Sequence, residues 1–445
     1  MPCPSPYFIL GPVLALLSAG FVQADTWPQW RGEKRDGIWR ETGLIDSFPE
    51  EGLKRAWTVP VGPGYCGPTV TENHIYLMDR GLDPAIEEER ILCFDRHTGE
   101  ISWTVSYPCV YEGVSYDVGP RASVTVSNGF AYALGTMGDL HALDARSGEM
   151  IWKRNLVDEF QAEIPTWGVS SAPLVVSGRV IVQSGGPEGP SALALNTITG
   201  EEIWRGPVDR MSYSAPTSPP NHPGEVLVWS DSLFQSLSIE NGDVLWSVES
   251  PKVRAFVARV QSPVFDASGE SFLLSDFNDG TRRYRRSGSV WEEVWHVRGK
   301  NERNTEGLHS LMGAPVWIRD HFYGVDSYGT FLGLRASDSV RVWETDTVVP
   351  LTRWATAFPV RQGEDGNRVW ILNEVGELLL TELTPEGYSE LDRTPLIEPT
   401  QEVRQRDYLI VWSHPAFAHR HIYARNDKEL IAVSVAKDGV NGPEK

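Results

Sequence analysis

Short apolar runs alternate with polar, turn-forming clusters along nearly the whole chain. Asn73-His74-Ile75-Tyr76-Leu77-Met78 and Phe130-Ala131-Tyr132-Ala133-Leu134 are rich in aliphatic and aromatic residues, which predicts strands. The second run leads through Gly135-Thr136-Met137-Gly138-Asp139, a turn, into a third run, Leu140-His141-Ala142-Leu143-Asp144. Gly, Asn, Asp and Ser punctuate the runs throughout, and the pattern is that of an all-β chain.

The pattern repeats. Cys93-Phe94-Asp95-Arg96-His97-Thr98-Gly99-Glu100-Ile101-Ser102-Trp103 is followed by Ala142-Leu143-Asp144-Ala145-Arg146-Ser147-Gly148-Glu149-Met150-Ile151-Trp152. Ala194-Leu195-Asn196-Thr197-Ile198-Thr199-Gly200-Glu201-Glu202-Ile203-Trp204 is a third copy, and Asn241-Gly242-Asp243-Val244-Leu245-Trp246 a weaker fourth. The spacing of about 47 residues, with strands and turns inside each unit, predicts a β-propeller. In the Thr-Gly-Glu or Ser-Gly-Glu turn, Gly supplies a positive φ. The tryptophan after it is expected to pack between blades as a structural residue.

The marker tryptophans are Trp57, Trp103, Trp152, Trp204, Trp246, Trp295 and Trp343, with Tyr388 taken as the equivalent in the next unit. Each unit opens with a small residue before a strand: Gly67-Pro68, Ala172-Pro173, Ala215-Pro216, Ser262-Pro263, Ala314-Pro315, Phe358-Pro359 and His414-Pro415, with Arg121-Ala122-Ser123 filling the same slot in the second unit. The eight openings predict eight four-stranded antiparallel blades. The strand around Trp57 precedes the first opening, and no closing tryptophan follows the last. Trp57 is therefore expected to supply the outer strand of the blade made by residues 412–436, so that the ring closes through its termini.

Residues 8–22 are apolar apart from Ser18, and Val22-Gln23-Ala24 places small residues before Asp25. This reads as a signal peptide over residues 1–24, with an N-terminal membrane anchor as the alternative. A single propeller domain then spans 25–445: a lead-in over 25–52, blades over about 53–436 and a loose tail over 437–445. No cysteine sits at the cleavage point for a lipid anchor, and no later stretch is apolar enough to span a membrane. The expected location is the periplasm or the exterior, and the expected state a monomer.

The net charge of −20, from 60 acidic and 40 basic residues, argues against a nucleic-acid partner. Arg282, Arg283, Arg285, Arg286, Arg298, Lys300 and Arg303 run against that balance. They read as a solvated strand edge, with a docking patch for an anionic partner as the alternative. Three cysteines follow the leader. Cys66 and Cys109 fall in loops on one face, so a Cys66–Cys109 disulfide and free thiols are both open. His414, His419 and His421 cluster in the last unit; His419 and His421 are placed on one side of a strand, without a third metal ligand. The chain lacks a Gly-x-Ser-x-Gly elbow, a His-Glu-x-x-His pair, a P-loop and a Cys-x-x-Cys-His haem site.

The unit Ala-Leu-Asp-Ala-x-Ser/Thr-Gly-Glu-x-x-Trp resembles the repeat of the pyrroloquinoline-quinone (PQQ) type propellers, from about Trp57 to Ala436. That superfamily contains the quinoprotein alcohol dehydrogenases and the outer-membrane-protein assembly factor BamB. Trp27-Pro28-Gln29-Trp30-Arg31-Gly32 with Arg35-Asp36-Gly37 resembles the start of a group of exported propellers of planctomycete type. For a dehydrogenase, the resemblance implies PQQ held by calcium, an adjacent cysteine pair and a catalytic Asp. No two cysteines here are adjacent, and Asp117, Glu163 and Glu306 are too scattered to assemble the oxygen ligands that calcium needs.

No catalytic residue, metal or cofactor is therefore expected. The candidate binding face is the funnel made by loops that enter the inner strands. It carries Tyr65, Tyr116, Arg121, Trp167, Tyr213, Arg259, His309, Trp354 and Trp412. The leading expectation is a non-catalytic, BamB-like protein-binding or scaffolding module of the bacterial envelope, with envelope proteins or peptides as partners. The alternatives are a PQQ- and calcium-dependent dehydrogenase or a relic of one, and a recognition subunit for a glycan or partner enzyme. Convergent acids at the axis favour the dehydrogenase, a neutral aromatic basin the recognition subunit, and a flat funnel with an apolar edge the scaffold.

Overall fold

A computed structural model describes residues 25–250, 258–404 and 406–437. The leader reading over 1–24 and residues 438–445 of the tail lie outside these. Thr69–Val70, His74–Arg80, Glu88–Asp95 and Ile101–Pro108 pair antiparallel in that order to form blade 1. Seven more sheets follow in sequence around an axis, and all eight blades of the sequence-derived count are present. Blade 8 comprises Ala416–Ala418, His421–Arg425 and Glu429–Ser434, and its outermost strand is Arg55–Pro60. Trp57 lies opposite Ala432. The ring is closed by backbone hydrogen bonds between its two ends, as the count of openings requires.

Two blades depart from four strands. Blade 4 has three regular strands, its innermost reduced to the bridge Thr217–Leu227. Pro216, Pro219 and Pro220 remove three N–H donors from that segment, so a full ladder cannot form. Blade 7 gains a fifth strand, Ile38–Trp39, which runs parallel to its inner strand Ala357–Gln362.

The repeat unit acquires a physical meaning in the gaps between blades. Each marker tryptophan follows a register irregularity in its outer strand, as at Met150/Trp152, and six of them donate from Nε1 to a carbonyl of the next blade. The pairs are Trp57 to Arg96 (2.9 Å), Trp103 to Ala145 (3.1 Å), Trp152 to Thr197 (3.0 Å), Trp204 to Ile239 (2.9 Å), Trp295 to Ala336 (3.1 Å) and Trp343 to Thr384 (2.7 Å). In four of these pairs the ring lies against the turn glycine of the next blade: Trp57 on Gly99, Trp103 on Gly148, Trp152 on Gly200 and Trp204 on Gly242. A Cβ on Gly200, whose φ is +69°, would stand 2.6 Å from the Trp152 ring. The triplet glycine thus serves twice: it takes a left-handed backbone and leaves room for an indole.

Gly200→Ala is expected to destabilise the fold by about 2–4 kcal/mol, from strained backbone plus overpacking. Gly178 has a similar φ of +74° but open space around it. Gly178→Ala should cost only the backbone part, about 1 kcal/mol. Equal urea midpoints for the two variants would remove the indole contact from the explanation.

Tyr388 is not the equivalent of the tryptophans. After the irregularity in blade 7, register places Asp392 opposite Leu380, the position a tryptophan holds elsewhere. The reason lies in the closure. Blade 8 receives its outer strand from the N-terminal side, so it has no hairpin turn on which an indole from blade 7 can dock. Asp392 instead accepts the Phe48 N–H at 2.6 Å and fastens the lead-in. Phe48 packs on Trp370 across the same gap.

The lead-in itself enters the axial channel. Trp27 pairs with Val70 of blade 1, and the Pro28 carbonyl accepts from Val126 of blade 2. Arg35, 5 % exposed, donates to the carbonyls of Pro173 in blade 3 and Pro216 in blade 4. Gly37 accepts from Arg361 of blade 7. A segment read only as a lead-in therefore ties five blades together at the axis.

The basic run does not form a solvated edge as a whole. Arg282 pairs with Asp279 at 2.6 Å, Arg283 donates to Ala336 of blade 6 at 3.0 Å, and Arg286 grips Glu225 of blade 4 through both nitrogens at 2.9 and 2.6 Å. These side chains clasp blades 4, 5 and 6; Arg285 alone among those four is exposed. The Cys66–Cys109 bond is not formed: Cys66, Cys93 and Cys109 are free and buried. The Cys66 thiol is turned into blade 1, where it donates to the Met78 carbonyl at 3.0 Å.

Candidate functional site: an aromatic cavity on the propeller axis

The residue two positions before each opening residue faces the axis, because side chains alternate along an extended segment. Tyr65, Arg121, Ser170, Tyr213, Val260, Met312 and Trp412 occupy this position in seven units, and all seven line one cavity. In the remaining unit that position is Thr356, which is buried, and Trp354 lines the cavity instead. The opening residues Ser123, Ala172, Ala215, Phe358 and His414 form a deeper layer. Trp30, from the lead-in, lines it from the channel side. The cavity opens to solvent, and about 1040 Å³ of empty space, open solvent included, lies within its walls.

Of the nine funnel residues expected from sequence, seven surround this cavity: Tyr65, Tyr116, Arg121, Trp167, Tyr213, Trp354 and Trp412. Arg259 and His309 do not. Arg259 stacks over Trp229 and donates to the Ser230 and Ser250 carbonyls, and it borders a separate polar groove with Glu163, Arg210 and Asp231. His309 is fully buried, and its backbone N–H donates to Asp326 at 2.8 Å. Sequence reasoning missed Trp30, Ser123, Ser170, Val260, Leu311, Met312, Phe358 and His414 as wall residues. The signal for several was present, since a spacing of two from each opening finds them, but it shows only once the openings are known to face the axis.

The aromatic side chains touch in series. Tyr213 and Trp167 are 5.0 Å apart between ring centroids, Trp167 meets Trp354 edge-on at 6.0 Å, Trp354 meets Tyr116 at 6.2 Å, and Tyr116 meets Trp412 at 5.9 Å. Such offset and edge contacts are the favoured geometries for rings. Tyr116 and Trp354 both hold left-handed backbone, with φ of 57° and 65°. For bulky residues this conformation costs about 1–3 kcal/mol and persists where surroundings impose it, often at binding sites.

What imposes it is visible behind the wall. Arg121 donates to the carbonyls of Gly119 (2.7 Å), Ser115 (3.1 Å) and Tyr116, which fixes the Tyr116 loop. The Arg121 guanidinium also lies over the Tyr65 ring at 5.1 Å. On the far wall, the buried Glu374 carboxylate accepts from Trp412 Nε1 (3.1 Å), Tyr408 Oη (2.8 Å), Thr356 N–H (3.0 Å) and Arg406 (3.0 Å). Arg406 in turn donates to the Arg353 and Trp354 carbonyls at 2.9 and 3.2 Å. Arg353 lies over the Trp354 ring at 4.6 Å and pairs with Glu302 at 2.8 Å. Arg121 braces the wall from within the lining, while Glu374, Arg406, Arg353 and Glu302 hold it from behind.

Among the described residues, no carboxylate or carboxamide lines the cavity. Its polar groups are Arg121, Ser123, Ser170, His414 and the tyrosine hydroxyls. Calcium needs several convergent carboxylate or amide oxygens, and among the described residues no group of three or more His, Cys, Asp or Glu could hold a metal. These residues do not fit a calcium-held quinone. His419 is not on a strand beside His421: it sits in the turn after Ala416–Ala418, with φ of 53°, so strand alternation does not align the two rings.

Ser123 Oγ and His414 Nε2 are 2.8 Å apart, the spacing of a nucleophile and its base. Nε2 also accepts from the Gly67 N–H at 3.2 Å, and Nδ1 faces the Pro415 carbonyl at 3.4 Å rather than a carboxylate. Burial pushes the imidazole down from 6.5 to about 4. At neutral pH the ring is uncharged and a weak base.

Burial likewise pushes His141 down to about 4, with Lys153 adding to the effect. Between about 4 and 6.5 the unfolded chain binds more protons than the fold. The stability from these neutral rings is therefore fully present above pH 6.5 and is lost as the pH falls toward 4. For His414 this amounts to about 3 kcal/mol. The urea midpoint should drop between pH 7 and 4.5, and His414→Gln should flatten that dependence. An unchanged slope in the variant would show that the ring is not buried neutral.

The family model described as Outer membrane protein assembly factor BamB matches residues 186–375. BamB of Shewanella oneidensis is 24% identical over 326 residues, which is 72% of this chain and 78% of that protein. The dehydrogenase subunit of the quinone alcohol dehydrogenase of Komagataeibacter europaeus is 32% identical over 238 residues, 50% of this chain but 29% of the subunit. Among solved structures, BamB of Moraxella catarrhalis superposes with a TM-score of 0.61 at 13% identity, over 86% of this chain and 99% of that one. Quinohemoprotein alcohol dehydrogenase of Comamonas testosteroni gives 0.64 at 14% identity, over 95% and 82%. Eight blades, the Gly-Trp docking repeat and these relatives together identify the chain as a β-propeller of the PQQ-like repeat superfamily.

Proposed function

We propose that the protein is a non-catalytic recognition module of the bacterial cell envelope that binds through its axial cavity. The observation that carries this reading is the cavity wall: among the described residues it holds eight aromatic side chains, Trp30 on the channel side included, and no acid. Rigid aromatic walls give large contact area at low entropic cost, which suits binding. A quinone dehydrogenase would need calcium ligands, and the lining offers no acid or amide oxygens. A glycan would need several polar partners for its hydroxyls, and the wall offers few.

The likeness to BamB supports an envelope role with protein partners. A second observation favours such partners. Ile151, Ile203, Leu245, Val294 and Val342 each directly precede a marker tryptophan, and each is 37–45 % exposed. They mark the outer strands of blades 2 to 6 with apolar side chains, on edges able to accept a peptide strand. No helix among the described residues is long and apolar enough to cross a membrane.

Calorimetric titration of the folded protein with PQQ, with and without calcium, tests the non-catalytic reading. We expect no calcium-dependent heat. Saturable binding that needs calcium would overturn the reading and call for a dehydrogenase assay.

A further inference from the structure

Among the described residues, the cavity lining contains one cation and no anion. In a chain of net charge −20 this is a marked local reversal. Arg121 makes no ion pair within the described residues; it donates to the Gly119, Ser115 and Tyr116 carbonyls and lies over the Tyr65 ring. These partners are neutral, so they satisfy N–H groups without compensating the charge. The buried Glu89 carboxylate, held by the Tyr107 and Tyr111 hydroxyls, acts on the guanidinium without touching it; a guanidinium largely withdrawn from water with no carboxylate in contact is costly, and an anion placed beside it recovers part of that cost.

Everything else at the wall is apolar, aromatic or weakly polar. Trp167, Trp354 and Tyr116 form a continuous belt in the same lining as the guanidinium, and Trp30 bounds the cavity as well. A flat hydrophobic body fits this belt, because ring faces and edges give favourable contacts with it. The single cation matches a single carboxylate. A polyacid would bury further charges with no partner, and a cationic ligand would meet Arg121 without any carboxylate to offset it.

We propose that the axial cavity binds a planar, apolar monocarboxylic acid, its ring or chain held by the aromatic belt and its carboxylate by Arg121. This rests on the reading of the cavity as the recognition site. Binding requires no metal and makes no covalent bond.

The probes are 2-naphthoate and its neutral amide, 2-naphthamide, titrated calorimetrically into the full folded protein. We expect saturable binding of the acid, at least tenfold tighter than the amide. Arg121→Met should weaken the acid tenfold or more and leave the amide within twofold, and Arg121→Lys should recover part of the difference. Because Arg121 also braces the Tyr116 loop, thermal midpoints are measured alongside. A variant that fails to fold is replaced by the wild-type acid-to-amide ratio at low and high salt, which should shrink as salt rises. Equal affinities for acid and amide would overturn the monocarboxylate while leaving the cavity a binding site. Binding of neither probe would overturn the monocarboxylate proposal, while the recognition reading is judged separately by the titration with PQQ and calcium. Loss of both probes in a Trp354→Ala variant would support the belt, and retention of both would overturn it.

Discussion

A chain that begins at Val61 is expected to lose its cooperative unfolding transition, whereas one that begins at Leu53 is expected to keep it at a lower midpoint. The first truncation removes Arg55–Pro60, the outer strand of blade 8. Glu429–Ser434 then becomes an unpaired edge, although four of its six residues are fully buried in the closed ring. Trp57 leaves with the strand, together with its contact to Gly99 and its hydrogen bond to Arg96. Loss of a packed tryptophan alone costs about 3–5 kcal/mol, against total stabilities of about 5–15 kcal/mol. The second truncation removes the channel segment and the Phe48 clamp but leaves the closure intact. Circular-dichroism melts and limited proteolysis distinguish the cases. A Val61 chain that melts as sharply and as late as the full protein would show that closure is not what holds the ring.

Glu374→Ala is expected to lower the unfolding free energy by about 3–5 kcal/mol and to loosen the cavity wall. Glu374 is fully buried, and the Arg406 side chain is 3 % exposed. Removal of one partner of a buried pair strands the other charge, and this penalty exceeds the worth of the pair itself. Trp412 and Tyr408 lose their acceptor at the same time. The double variant Glu374→Ala, Arg406→Met should recover more than half of the loss, because the stranded guanidinium is gone. Denaturant titration with tryptophan emission reads both effects. A double variant no more stable than the single would show that the lost hydrogen bonds to Trp412 and Tyr408 dominate.

The fold was legible because its information is local and repeated. A turn glycine, the tryptophan of the preceding unit and the alternating runs between them recur within single units, so one chain displays the pattern several times. The cavity was legible in part for the same reason. Tyr65, Arg121, Tyr213 and Trp412 sit at one offset from their openings, and period-two geometry turns them inward together. Trp167 and Trp354 were found as aromatic loop residues rather than by offset. Arg259 and His309 were misplaced because composition cannot distinguish a side chain facing the axis from one buried beside it. Tyr388 was misaligned because the closure removes the docking turn, a circumstance that concerns the two ends of the chain.

The sequence alone determined the eight blades, the circular closure through Trp57 and the expectation of an aromatic funnel. These follow from strand periodicity, turn chemistry and repeat count, which depend on neighbours in the chain. Tertiary structure decided that the segment from Trp27 to Gly37 fills the axis, that the arginines of blade 5 clasp its neighbours, and that the three cysteines stay apart. It also decided that Glu374 and Arg406, distant from most of the wall residues in sequence, hold that wall from behind. Each of these depends on contacts between residues far apart along the chain, whose partners are chosen by packing and by the need to satisfy buried charge. The absence of acids from the cavity belongs to the same class: 60 acidic residues are spread through the sequence, and none of the described residues in the lining is one of them.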